Sequence, residues 1–170
     1  MELLELAKAR YSVRKFAEKP VEEEKLQKVL AAGACAPTAK NQQPQKIYVL
    51  ESPEAVEKIR GITRCAFNAP VVLMVCGCKD QAWVNPFNDR SSAEMDCSIV
   101  TTQMMLQAQE LGLGTCWVCW FDTKKTKEAF NIPENEEVFA LLPLGYPAES
   151  SHPSSMHDSR KALEETVVRL

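Results

Sequence analysis

Three stretches of this chain gather residue types that handle anions and flat polar rings. The first is Arg10-Tyr11-Ser12-Val13-Arg14. In an extended chain side chains alternate, so Arg10, Ser12 and Arg14 project to one side. Two guanidinium forks and a hydroxyl on one face suit a phosphate. In a helix Arg10 and Arg14 would share a face and Ser12 would leave it. A pair of surface arginines making weak ion pairs is the plain alternative.

The second stretch is Ala36-Pro37-Thr38-Ala39-Lys40-Asn41-Gln42-Gln43-Pro44. Two prolines bound a loop rich in carboxamides, each offering donors and an acceptor. Such a set matches the alternating acceptors and donor on a flavin's pyrimidine edge; an ordinary polar turn has the same composition. The third runs from Leu111-Gly112-Leu113-Gly114 into Thr115-Cys116-Trp117-Val118-Cys119-Trp120-Phe121. The glycines permit close backbone approach. The aromatics after them could floor a flat ligand or fill a core.

Other chemistries have less support. There is no Gly-x-Gly-x-x-Gly fingerprint and no P-loop. The two histidines, His152 and His157, lie in a polar stretch and read as solvated loop residues. Seven cysteines are present. Their odd number and the acidic start Met1-Glu2-Leu3-Leu4-Glu5 point to reduced thiols and a cytoplasmic protein. Cys116-x-x-Cys119 has zinc or redox spacing, but no second pair completes a metal site. Both read as small core residues on opposite faces of a strand.

The elements that must position these residues follow from apolar periodicity. Helices are predicted at 2–9, Glu22–Cys35, Pro53–Arg60, Ser91–Leu111 and Thr123–Phe130. Strands are predicted at Lys46–Leu50, Val71–Cys76, 115–121 and Glu137–Leu144. Arg160–Leu170 is a terminal helix or arm. Val71–Cys76 is continuously apolar, as in a strand buried on both faces. Ser91–Leu111 is apolar nearly all round, so several sides must be covered, and a second subunit is a candidate for part of that cover. The mixture lacks a regular βαβ beat and predicts an α+β fold with a central sheet. With 170 residues, the chain has the length of one domain, 1–170. A net charge of −3 gives no field favouring nucleic acid. The longest apolar run, Pro70–Cys78, is too short to span a membrane.

The order of motifs is more specific than any one of them. Arg-x-Ser-x-Arg, then Ala-Pro-Thr-x-x-Asn-x-Gln-Pro, then Leu-Gly-Leu-Gly-Thr-Cys-Trp, then Leu-Pro-Leu-Gly-Tyr-Pro resembles the nitroreductase family of FMN flavoproteins, as a short member. The resemblance covers nearly the whole chain. It implies a mainly antiparallel sheet flanked by helices in an intertwined homodimer, with FMN at the subunit interface. Arg10, Tyr11, Ser12 and Arg14 match the signature that meets FMN. Pro37, Thr38, Ala39, Asn41 and Gln43 match a loop reaching it from the other subunit. Trp117, Val118, Cys119 and Trp120 match the strand end against the isoalloxazine, with a backbone N–H, that of Trp120, near N5. Arg160 matches a basic residue closing on the phosphate, while Gly145 serves a turn. The implied activity is ping-pong hydride transfer from NADH or NADPH through flavin N5 to nitroaromatics, quinones or similar acceptors, with no catalytic side chain. A related flavoenzyme, dehalogenating or flavin-destroying, and a non-enzymatic flavin-binding or redox-sensing module remain alternatives. Two positions depart from the pattern. Trp120 stands where a small residue is common and would narrow the pocket. Asp158 stands where a second basic residue is common and would oppose a phosphate, with Arg64 a candidate to offset it.

Overall fold

The structure, a computed structural model, describes residues 2–170. Its centre is an antiparallel sheet of order β1-β2-β4-β3. The strands are β1 (Gln45–Leu50), β2 (Val71–Cys78), β3 (Gly114–Thr115) and β4 (Glu136–Gly145). The helices are α1 (Leu3–Ala9), α2 (Glu23–Ala34), α3 (Pro53–Arg60), α4 (Ala93–Glu110), α5 (Thr123–Phe130) and α6 (Leu163–Thr166). Among the described residues no helix is long and apolar enough to cross a membrane.

Strand β2 lies between β1 and β4, and all of its residues are buried. Strand alternation sends Val71, Leu73 and Val75 to one face and Val72, Met74 and Cys76 to the other. The first set packs on Leu26 and Val29 of α2 and on Val100, Met104 and Ala108 of α4. The second set packs on Ile59 of α3 and on Cys116, Val118 and Ile132. A strand covered on both faces has no solvent side, which explains its unbroken apolar run. The helices carry local start and stop signals. Ser52 accepts the Ala55 N–H at 3.1 Å ahead of α3, with Pro53 in the first turn. Asp122 caps α5 by accepting the Lys125 N–H at 2.9 Å. Gly112, at φ 74°, turns the chain out of α4, and the Leu113 N–H returns to the Ala108 carbonyl at 2.8 Å.

Several expectations need correction. The strand predicted over 115–121 is a ladder only at Gly114–Thr115, followed by a single bridge between Val118 and Leu141. Register is kept, because the Cys116 N–H still points to the Pro143 carbonyl at 3.3 Å. Pro143 has no N–H to return, so the ladder lapses opposite it. Cys116 is buried as expected, but Cys119 is exposed and is not a core residue. The terminal arm is helical only over Leu163–Thr166, and residues 158–170 are all exposed. Of Leu3, Leu6 and Ala7, the apolar side that the periodicity gives the first helix, only Leu6 is buried.

Candidate anion-binding site

Residues 10–17 run extended along the edge of the sheet. Ser12 bridges Thr115 in parallel, and the Val13 N–H donates to the Thr115 carbonyl at 2.9 Å. Farther on, the Ala17 N–H donates to the Tyr146 carbonyl at 2.8 Å, and Phe16 bridges Pro147. This is the extended alternative of the sequence reading. Val13 is fully buried on the inner side, while Arg10, Ser12 and Arg14 turn outward. The close approach requires a glycine opposite. A Cβ on Gly114 would strike Val13 Cγ2 and stand 2.9 Å from Val13 Cβ and 3.1 Å from Pro147 Cγ.

The outward residues line a cleft of about 210 Å³ with Tyr11, Ser154, Met156, His157 and Arg160. Three guanidinium groups, two hydroxyl-bearing serines and an imidazole face it, and no carboxylate lines it. That donor set fits a phosphate monoester of the FMN type. The chain from 148 to 160 is pinned above α1 by three contacts. Tyr11 Oη donates to Ser151 Oγ at 3.2 Å, the Tyr11 and His157 rings meet edge to face, and His157 Nε2 donates to the Lys8 carbonyl at 3.0 Å. His157 is thus a half-buried wall of the cleft, not a solvated loop residue; only His152 is exposed. Arg160 folds its Nη1 onto the carbonyls of His157 and Ser159, which holds its head at the rim. Asp158 is fully exposed and does not line the cleft.

Beneath the cradle lies Cys116. Burial pushes its thiol up from the ordinary range, and Arg14, the Ser12 hydroxyl and Arg10 pull the other way. The first and third motifs therefore meet at this residue. Val118 is buried, Trp117 is half-buried and donates its Nε1–H to Cys119 Sγ at 3.2 Å, and Trp120 is 66% exposed. The backbone N–H groups of Cys119 and Trp120 donate to no other described residue. Trp120 lines a neighbouring cleft with Arg64, so Arg64 does not join the cradle as a substitute cation.

The carboxamide loop stands apart from the cradle, and none of its residues lines that cleft. A short turn over Ala39–Asn41 shapes it, and Lys40, Asn41 and Gln43 all have φ near 50°. The Gln43 N–H donates to Thr38 Oγ1 at 3.0 Å, closing the loop on itself. Asp96, buried in the first turn of α4, accepts the Ala39 N–H at 2.9 Å and the Ser92 hydroxyl at 2.7 Å. Pro37, Asn41 and Gln43 are left exposed. Sequence reasoning missed Asp96; a carboxylate near the start of a largely apolar helix was its signal. It also missed His157, for which the sequence carries none.

An antiparallel sheet between helical layers, with a cationic cleft at its edge, defines an α+β fold. The nitroreductase family model matches residues 7–68 and 61–146. A Methanothermobacter thermautotrophicus protein named as an NADH dehydrogenase/NAD(P)H nitroreductase is 33% identical over 93% of this chain and 84% of its own. A crystal structure of a nitroreductase family protein from Clostridium difficile superposes with TM-score 0.92 at 41% identity, covering 99% of this chain and 98% of that one. A structure described as an FMN-dependent nitroreductase from the same species is 26% identical with TM-score 0.76, covering 99% and 98%. The chain belongs to the nitroreductase family.

Proposed function

We propose that residues 1–170 form one FMN-binding unit of a cytoplasmic homodimer that uses NADH or NADPH to reduce electron-poor acceptors such as nitroaromatics and quinones. The observation that carries this reading is the convergence of Arg10, Ser12, Arg14 and Arg160 on one cleft with no carboxylate among its lining residues. Bound FMN supplies the hydride chemistry, accepting from a nicotinamide and giving to the acceptor. The protein's part is to bind and orient. The guanidinium groups of Arg10 and Arg160 and the Ser12 hydroxyl take the phosphate. Arg14, on the same cleft, would supply positive charge beside the bound ring. The free N–H groups of Cys119 and Trp120 offer donors to the ring edge. No side chain has to move a proton.

Two features support the homodimer. Met95 and Ile99 lie four residues apart on α4 and are 45% and 40% exposed, an apolar pair on the helix's solvent side. No residue of the carboxamide loop lines its own chain's cleft, and Pro37, Asn41 and Gln43 are exposed, as suits a loop serving a partner's cofactor.

The test is anaerobic mixing of FMN-loaded protein with NADH or NADPH. The yellow absorbance should bleach and return when a nitroaromatic or quinone is added. Arg14→Ala should weaken FMN binding and slow the bleaching. Failure of both nicotinamides to bleach the protein would remove the enzyme reading and leave a flavin-binding module.

A further inference from the structure

Trp120 is an exposed aromatic outside the cradle. Two thirds exposed, it is nevertheless held at both ends. Buried Thr63 donates its hydroxyl to the Trp120 carbonyl at 2.7 Å and accepts the Cys65 N–H at 3.1 Å. One residue thus fixes the Trp120 backbone and caps the short turn Arg64–Ala66. That turn sets the Arg64 guanidinium over the indole, with Cζ 4.5 Å from the ring centroid. A stacked guanidinium keeps its in-plane N–H groups free to grip an anion. Among the described residues Arg64 makes no ion pair.

The pair lines a cleft of about 680 Å³ with Ile62, Phe121 and Asp122. Asp122 is already engaged: one oxygen caps α5, and the other lies 4.0 Å from Lys125 Nζ. Among the described residues the cleft is lined by one cation, Arg64, and one carboxylate, Asp122, turned to its cap and to Lys125. Its walls are the indole and the apolar Ile62 and Phe121. The cleft and the cradle share no lining residue among those described; the chain links them through the segment 116–120, from buried Cys116 to exposed Trp120.

We infer that Arg64 and Trp120 form an acceptor platform that selects planar aromatic acceptors bearing a carboxylate over neutral ones of the same shape. This rests on the oxidoreductase reading above and adds the acceptor's charge to it. The ring lies against Trp120, and the carboxylate meets the free edge of the guanidinium. Because Arg64 is exposed, the preference is modest, about fivefold, as for a solvent-accessible charge-assisted contact.

The experiment pairs 4-nitrobenzoate with 4-nitrobenzamide, which differ in charge and little in shape. Binding of each to the FMN-loaded protein is measured by calorimetry without any nicotinamide, and kcat/KM is measured separately. The carboxylate should bind about fivefold tighter. Arg64→Gln should bring the two ligands to equal affinity, and Arg64→Lys should keep part of the difference. FMN content reports whether each variant retains its fold. Equal binding by the unaltered protein, or a preference that survives in Arg64→Gln, overturns the inference. If neither nicotinamide supports turnover, the enzyme reading fails, yet the calorimetric comparison still decides the role of Arg64.

Discussion

Replacing Gly114 by alanine tests whether the phosphate cradle depends on the close approach of two backbones. The added methyl would strike Val13 Cγ2, with Val13 Cβ at 2.9 Å and Pro147 Cγ at 3.1 Å. Val13 Cβ is attached directly to the backbone, so a rotamer change cannot relieve the clash. The segment 10–14 must shift, and with it the Val13–Thr115 hydrogen bond of 2.9 Å. Overpacking of this kind costs about 1–3 kcal/mol. For a chain of this size each kcal/mol lowers Tm by about 2–4 °C, so a loss of about 2–12 °C is expected. The same shift moves Ser12 and Arg14 relative to Arg160, so FMN affinity should also fall. Differential scanning calorimetry of the cofactor-free protein gives the first quantity and fluorescence titration with FMN the second. Gly145→Ala is a control for crowding elsewhere on the sheet, since its methyl would meet Pro70 and Phe16 instead. It should lower Tm with a smaller effect on FMN binding. A Gly114→Ala protein with unchanged Tm and unchanged FMN affinity would refute the reasoning.

Other consequences concern stability. Glu136 is a buried carboxylate, its side chain 3% exposed, that accepts the Tyr48 hydroxyl at 2.7 Å and faces Lys46 Nζ at 3.2 Å. Tyr48→Phe should destabilise the chain by about 1–3 kcal/mol, because one carboxylate oxygen is left without its partner. Lys46→Ala should cost less, since its ammonium is largely in solvent; urea melts that rank the two the other way would contradict this. Burial pushes the thiols of Cys76 and Cys97 from the ordinary 9.0 up to about 12. Between those values the unfolded chain loses protons that the folded chain keeps. Stability from these thiols is therefore complete below pH 9 and declines as pH rises toward 12. The urea midpoint under reducing conditions should fall across this range and fall less steeply in Cys76→Ala, Cys97→Ala; equal slopes would count against the assignment.

Much of this architecture was legible because particular residues left one physical option. Val71–Cys76 had no polar face to offer water, so a strand covered on both sides followed. The spacing of Arg10, Ser12 and Arg14 meant a shared face once the segment was extended. What remained hidden depended on partners far along the chain. The break in the strand after Thr115 comes from Pro143, a residue opposite in space. His157 became a wall of the cleft because Lys8 and Tyr11 hold it there. Asp158 looked like a threat to phosphate binding; it lies outside the cleft lining, fully exposed, with Oδ1 3.9 Å from His157 Nε2. Arg64 looked like a spare cation for the cradle, and Trp120 holds it elsewhere.

The central claim is that the cleft formed by Arg10, Ser12, Arg14 and Arg160 holds FMN. Its most direct test is the visible spectrum of the protein purified without added cofactor, with the released chromophore weighed by mass spectrometry. The account predicts a yellow protein carrying about one FMN per chain, lost on Arg14→Ala, Arg160→Ala substitution. A colourless protein that stays colourless after incubation with FMN would contradict it.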